Sequence, residues 1–270
     1  MEVLEATLHF SSAYLLVSHG SRDPRPQIAL EHLAKLVTQR LRQDDPTQSR
    51  QTTSQRLYQT PLVGTAVLEL ADSPLHEQVR QFAERARVSG YETVQIVPLF
   101  LLAGVHVMDD IPAELEIARR QVSKIELHQC AHLGSQPQLG QLLLSAVDSI
   151  TTDPQSGKVV LAHGSRRANS NLAIEQIAAE LSALPAYWSV DPSLETQVTE
   201  LIKRGHQQIV VLPYFLFEGG ITDAIAETVE RLKSQFPYAQ FHLARPIGAT
   251  SALADQVLAL INKTVPQKLR

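Results

Sequence analysis

The sequence holds one cysteine, Cys130, one tryptophan, Trp188, and two methionines among 270 residues. A lone cysteine excludes an intramolecular disulfide and any Cys-x-x-Cys cluster site or redox pair. There is no basic excess: 24 Lys and Arg stand against 28 Asp and Glu, a formal net charge of −4, and the arginines are scattered, so no nucleic-acid partner is expected. The longest apolar run, IVPLFLLAGV at 96–105, is about half the ~20 residues that span a bilayer, and no membrane partner is expected. MEVLEATLHF at the start carries two glutamates and no cationic stretch, so no secretory signal is expected and a soluble cytoplasmic protein is the simplest expectation. The first strand is followed by no Gly-x-Gly-x-x-Gly fingerprint, and the chain has no Gly-x-Ser-x-Gly elbow. Both dinucleotide binding and serine hydrolysis lose their support.

What is present is a duplication. YLLVSHGS at 14–21 returns as KVVLAHGS at 158–165, and IVPLFLLAG at 96–104 returns as VVLPYFLFEGG at 210–220. His19 and His163 lie 144 positions apart, Asp72 and Asp191 119, Pro98 and Pro213 115, and Gly134 and Gly248 114. Most of the lost spacing falls before Asp72, where the first half holds QDDPTQSRQTTSQRLYQTP at 43–61, a polar stretch that reads as a surface insertion. The last single-residue drop falls where MDDIPAEL meets TDAIAETV. The repeat covers nearly the whole chain.

With 44% hydrophobic residues the chain can bury two ordinary cores. Short apolar runs at about 13–18, 64–70, 93–101 and 124–129 alternate with amphipathic segments, and Gly90 and Gly205 close helices in the manner of C-caps. The pattern predicts an α/β fold of βαβ units with right-handed crossovers. Two doubly wound parallel-sheet domains are expected, residues 1–150 and 151–270, joined at the polar stretch TTDPQSGK at 151–158 and facing each other across a cleft.

In open α/β sheets ligands bind beyond the carboxyl ends of the strands. His19 ends the first strand there, Gly20 permits a sharp turn and the close approach of a ligand, and Ser21 can cap the next helix. His106 follows the third strand by a short turn, and Glu69 ends the strand between them in sequence. Two imidazoles and a carboxylate on one rim suit a borderline divalent metal or proton acceptance near neutral pH. The second half keeps His163 but presents Trp188 opposite Glu69 and Ile221 opposite His106, so one chemical site in a duplicated scaffold is expected, with His163 as inherited turn chemistry. The competing reading of Glu69 is helix capping through the DSP turn, for which Asp72 is better placed. His128 and His132 have the i, i+4 spacing of a helical metal pair, but KIELHQCAHLG reads as strand then loop, and His128 aligns with His242. His9, His32, His76 and His206 read as surface residues.

LLVSHGSRDP, VLELADSPL and VPLFLLAGVHVMDDIP, taken in series, resemble the CbiX/SirB group of class II tetrapyrrole chelatases. The resemblance implies two fused flavodoxin-like, chelatase-like domains in place of a homodimer of short chains, hence a monomer, with the active-site cleft between them. It implies insertion of a divalent metal into sirohydrochlorin, cobalt favoured and iron for sirohaem close behind, with the metal as substrate and no tightly bound cofactor. It also implies His19 and His106 as metal-binding and proton-accepting residues and Glu69 as their acidic partner. The substrate's carboxylates call for cations and helix amino termini, and Ser21 with Arg22, and His163, Ser165 and Arg166 in the second half, are the candidates. A non-catalytic metal or tetrapyrrole carrier using the same histidines is the alternative.

Overall fold

The protein is described by a computed structural model that places residues 12–43, 61–143, 155–167 and 169–264. The insertion expected at 43–61 falls almost entirely outside these residues, as do His9 and 151–154 of the expected linker.

Two four-stranded sheets account for the repeat. The first is ordered β2-β1-β3-β4 from β1 (Ser12–Ser18), β2 (Val63–Val67), β3 (Thr93–Pro98) and β4 (Glu126–Gln129). The second is ordered β6-β5-β7-β8 from β5 (Gly157–Ala162), β6 (Leu184–Tyr187), β7 (Gln208–Pro213) and β8 (Gln240–Leu243). Every pairing is parallel. The helices whose full extent is described are α1 (Pro24–Gln43), α2 (Leu75–Val88), α3 (Ile111–Gln121), α4 (Leu172–Glu180), α5 (Leu194–Lys203), α6 (Gly220–Gln235) and α7 (Ser251–Thr264). None of the helices described is long and apolar enough to cross a membrane.

Both faces of each sheet are covered, which is why the strands read as unbroken apolar runs rather than alternating ones. Ala13, Leu15 and Val17 of β1 pack with Phe82 of α2 and Leu115 of α3. Tyr14 and Leu16 point the other way, into a core shared with Leu30, Leu33 and Val37 of α1. That second core also contains Leu253, Val257 and Ile261 of α7, the last helix of the second half, and Arg40 of α1 pairs with Asp255 of α7 at 2.9 Å. Leu143 crosses in the opposite sense, into the core of Val160, Leu212 and Ile174. The halves therefore exchange closing segments, and packing does not divide where the sequence repeat does.

The strands expected at 64–70 and 93–101 begin within one residue of β2 and β3 but overshoot their ends by three residues. Leu68 and Glu69 still donate to Ser18 and His19, and then Leu70, at φ 61°, turns the chain away. The apolar residues after Pro98 line a cleft instead of extending the sheet. Gly90 and Gly205 have φ of 86° and 91° and close α2 and α5 as expected. His128 lies on β4 opposite Gln95 as His242 lies on β8 opposite Val210, the strand placement that the repeat required. His76, read as a surface residue, is only partly exposed: its ring and its backbone N–H both meet the Glu114 carboxylate at 2.8 Å, because α2 packs against α3 there.

Candidate functional site

β1 delivers His19 to the carboxyl edge of the sheet, beside the crossover point between β1 and β3. Gly20 follows at φ 101°, and a Cβ there would lie 2.0 Å from the Glu69 carbonyl oxygen. The backbone of Glu69 by itself therefore requires glycine at this position. Ser21 does not cap α1; its hydroxyl accepts from Asp23 N–H, and Asp23 accepts from Arg25 N–H at the start of the helix. The pair Ser165 and Arg167 repeats the first of these turns.

Glu69 N–H donates to the His19 carbonyl just as Ser189 N–H donates to the His163 carbonyl. Ser189, not Trp188, is therefore the counterpart of Glu69; a spacing taken from Asp72 misses one residue inserted between Glu69 and α2. The positive-φ residue Leu70 lies in that stretch. Neither Glu69 nor Asp72 caps α2, whose N-cap Pro74 makes no side-chain bond, so the capping reading of both is removed.

His106 opens a π turn, His106–Asp110, in which Ile111 N–H reaches back five residues to the His106 carbonyl. A π turn absorbs one extra residue. Upstream, Met108 bonds Gly104 as Asp223 bonds Gly219, 115 positions apart; downstream, buried Ile111 and Ile225 match at 114. The one-residue slip in the repeat is this turn. Both groups that the second half lacks, Glu69 and His106, thus stand beside single-residue insertions.

The ligand atoms of His19, Glu69 and His106 all lie within 4.8 Å of one another. His19 Nε2 is 3.9 Å from Glu69 Oε2, and the two imidazole rings meet edge to face at 4.8 Å between centroids. His19 Nδ1 lies 3.1 Å from the Gly20 carbonyl and His106 Nδ1 2.7 Å from Asp110 Oδ2. A carbonyl and a carboxylate only accept, so Nδ1 is the donor in each ring and the Nε2 lone pair is left free. One divalent ion holds N and O ligands at about 2.0–2.2 Å, so two of them in a tetrahedral set lie about 3.4 Å apart. The set, spread over as much as 4.8 Å, must contract by up to about 1.5 Å to grip an ion, which rotation of half-exposed side chains can supply.

His19 and His106 line a cleft of about 370 Å³ between the halves, with Glu69 beside His19 outside its lining. Phe100, Leu101 and Leu102 form one wall; His163, Ser165, Tyr214 and Phe215 form the other. Partial desolvation there lowers the His163 pKa, and the nearby His19 and His106 lower it further, so its neutral form is favoured. Of the predicted substrate contacts, His163 and Ser165 line this cleft, whereas Ser21, Arg22 and Arg166 do not. Arg22 and Arg166 are exposed and make no ion pair among the described residues. Three residues escaped the sequence reading. Asp110 orients His106 and could have been found from the His-x-x-x-Asp spacing; Phe100 stands 6.4 and 6.0 Å from the two imidazoles; Tyr214 occupies the place of Leu99 in the repeat.

Comparison with known proteins agrees with this architecture. A sirohydrochlorin ferrochelatase of Priestia megaterium is 26% identical over 206 residues, 72% of this chain and 74% of that protein. A sirohydrochlorin cobaltochelatase of the same organism is 23% identical over 253 residues, 89% and 76%. The solved structure of the sirohydrochlorin chelatase SirB from Bacillus subtilis subspecies spizizenii, in complex with cobalt, superposes with a TM-score of 0.69 at 21% identity, covering 94% of this chain and 95% of that one. The family model CbiX matches twice, over residues 13–150 and 157–264, once for each half of the duplication: the chain belongs to the CbiX family.

Proposed function

We propose that the protein inserts a divalent metal into sirohydrochlorin, taking the metal at His19, Glu69 and His106 and the macrocycle in the cleft between the halves. The observation that carries this is the convergence of those three ligand atoms at the mouth of an apolar cleft. A free-base tetrapyrrole must lose two inner protons while a metal is presented to one face. Two imidazoles with free Nε2 lone pairs can hold the metal from below and receive a proton once the metal has left them. Glu69 neutralises part of the ion's charge, and three side chains from half-exposed positions make a site that releases what it binds. His163 and Ser165 contact the macrocycle from the facing wall, and the exposed Ser21, Arg22 and Arg166 meet its peripheral carboxylates at the rim.

Imidazole and carboxylate accept cobalt and iron alike, and relatives of both kinds exist; cobalt is preferred on the resemblance to the CbiX group, with iron its rival. The metal is a substrate in this reading, with no resident cofactor. Both walls of the cleft come from one chain, so a monomer is expected, at work in the cytoplasm. Protein mixed with sirohydrochlorin and Co²⁺ or Fe²⁺ should change the macrocycle's absorbance with many turnovers per chain. Binding of macrocycle or metal without accelerated insertion overturns the reading in favour of a carrier.

Asp110 is assigned to holding the His106 ring. Asp110→Ala is expected to weaken Co²⁺ binding between about 10- and 100-fold, the usual cost of losing a carboxylate behind a ligating histidine. Calorimetric titration without the macrocycle measures it, and an unchanged Kd removes Asp110 from the site.

A further inference from the structure

The second half touches the His106 turn on both sides. The Ser170 hydroxyl donates to the Ala103 carbonyl at 3.4 Å, three residues before His106, and Arg167 Nη1 donates to Asp109 Oδ2 at 3.1 Å, three residues after it. Asp109 and Asp110 are adjacent carboxylates on one π turn. Arg167 holds the first, and the second is left to His106 Nδ1. The first half returns the gesture: Arg25 Nη1 donates to Asp223 Oδ1 at 3.0 Å, and Pro26 lies against Gly219. That contact ends beside Ile221, where no ligand exists. Each half therefore braces the turn after the third strand of the other, but only one of the two braced turns carries a histidine.

We infer that Arg167 is a positioning residue for the metal centre: by holding Asp109 it fixes the π turn and sets His106 Nε2 opposite His19. The second half thus takes part in metal binding without giving a ligand. This rests on the proposed reading of His19, Glu69 and His106 as the metal-holding set. A π turn is closed by a longer hydrogen-bonded loop than an α turn, so an external brace matters more there than on α6. The Arg25 contact serves as the built-in control, since it is also a cross-half ion pair and ends on a turn without chemistry.

Co²⁺ titration of the whole protein, without the macrocycle, tests it. Arg167→Gln is expected to raise the Kd about three- to fivefold, the upper range for an exposed ion pair, and Arg167→Asp by more, since it sets like charges together. Arg25→Gln should leave the Kd unchanged. The charge-swapped pair Arg167→Asp with Asp109→Arg should recover most of the affinity. In turnover the loss should appear in the KM for the metal and not in that for the tetrapyrrole. Equal losses from Arg167→Gln and Arg25→Gln would mean that closure of the halves is all that is sensed, and overturn the inference. So would an Arg167→Gln protein that binds Co²⁺ as the parent does. Failure of the parent protein itself to bind Co²⁺ strikes the three-residue reading, a result distinct from either.

Discussion

His106→Ala is expected to lower kcat/KM for metal insertion at least about 100-fold, while His163→Ala leaves it within about tenfold. A 100-fold loss is about 2.7 kcal/mol of transition-state stabilisation, a modest demand on one of only three ligand groups. The second half shows that the fold does not need the imidazole, because Ile221 holds the matched place on α6. Thermal stability of His106→Ala should therefore stay close to that of the parent, which separates lost chemistry from lost structure. His163 lacks the partners that hold a metal at His19. Its counterpart of Glu69 is Ser189, whose hydroxyl donates back to the His163 carbonyl, and its counterpart of His106 is apolar. Partial burial, and then the facing histidines, keep its ring neutral, which by itself would permit ligation; what His163 lacks is the pair of partners. Steady-state absorbance kinetics on both variants decide the matter. Dead His163→Ala with a folded chain, or undiminished His106→Ala, sinks the one-site reading.

The fold was legible because both signals it rests on are local. Runs such as YLLVS and QIVVLP fix strands, and a repeated strand-turn fixes the duplication; the carboxyl-edge rule then brings His19, Glu69 and His106 to one rim without further information. What stayed hidden depends on partners. The amphipathic pattern of α7 shows that it buries a face, but nothing in it shows that the face meets Leu30 and Leu33 of the other half. The count of offsets revealed that a residue had been gained near MDDIPAEL, but only backbone bonding shows it as a π turn that aims His106. The same limit misplaced Trp188. An insertion of one residue is invisible between two landmarks unless the hydrogen bonds of Glu69 and Ser189 say on which side it falls. Ser21 read as a helix cap because it follows a strand and precedes a helix; Asp23, two residues later, takes the role with a stronger acceptor.

Gly20→Ala should reduce metal insertion far more than it reduces stability, and comparison with Gly205→Ala separates the two effects. Both glycines have left-handed backbone, φ 101° and 91°, so each substitution carries about 1–3 kcal/mol of strain. For a chain of this size that is roughly 2–12 °C in melting temperature. Their surroundings differ. A Cβ at Gly205 meets nothing within 4 Å, whereas one at Gly20 would overlap the Glu69 carbonyl oxygen at 2.0 Å and its carbon at 2.9 Å. Those are backbone atoms, so no rotamer change relieves the contact; the strand end carrying Glu69 must move away from His19. The Glu69 N–H to His19 carbonyl bond, 2.8 Å long, must stretch or break with it. A displacement of an ångström is enough to pull Glu69 Oε2 out of reach of an ion held by the two imidazoles, since its separation from His19 Nε2 is already 3.9 Å. Gly20→Ala is accordingly expected to lose activity about 100-fold or more with a melting temperature lowered by no more than about 20 °C, and Gly205→Ala to lose only the temperature. Equal activity in the two variants would overturn the view that the Gly20–Glu69 backbone contact sets the position of the Glu69 carboxylate.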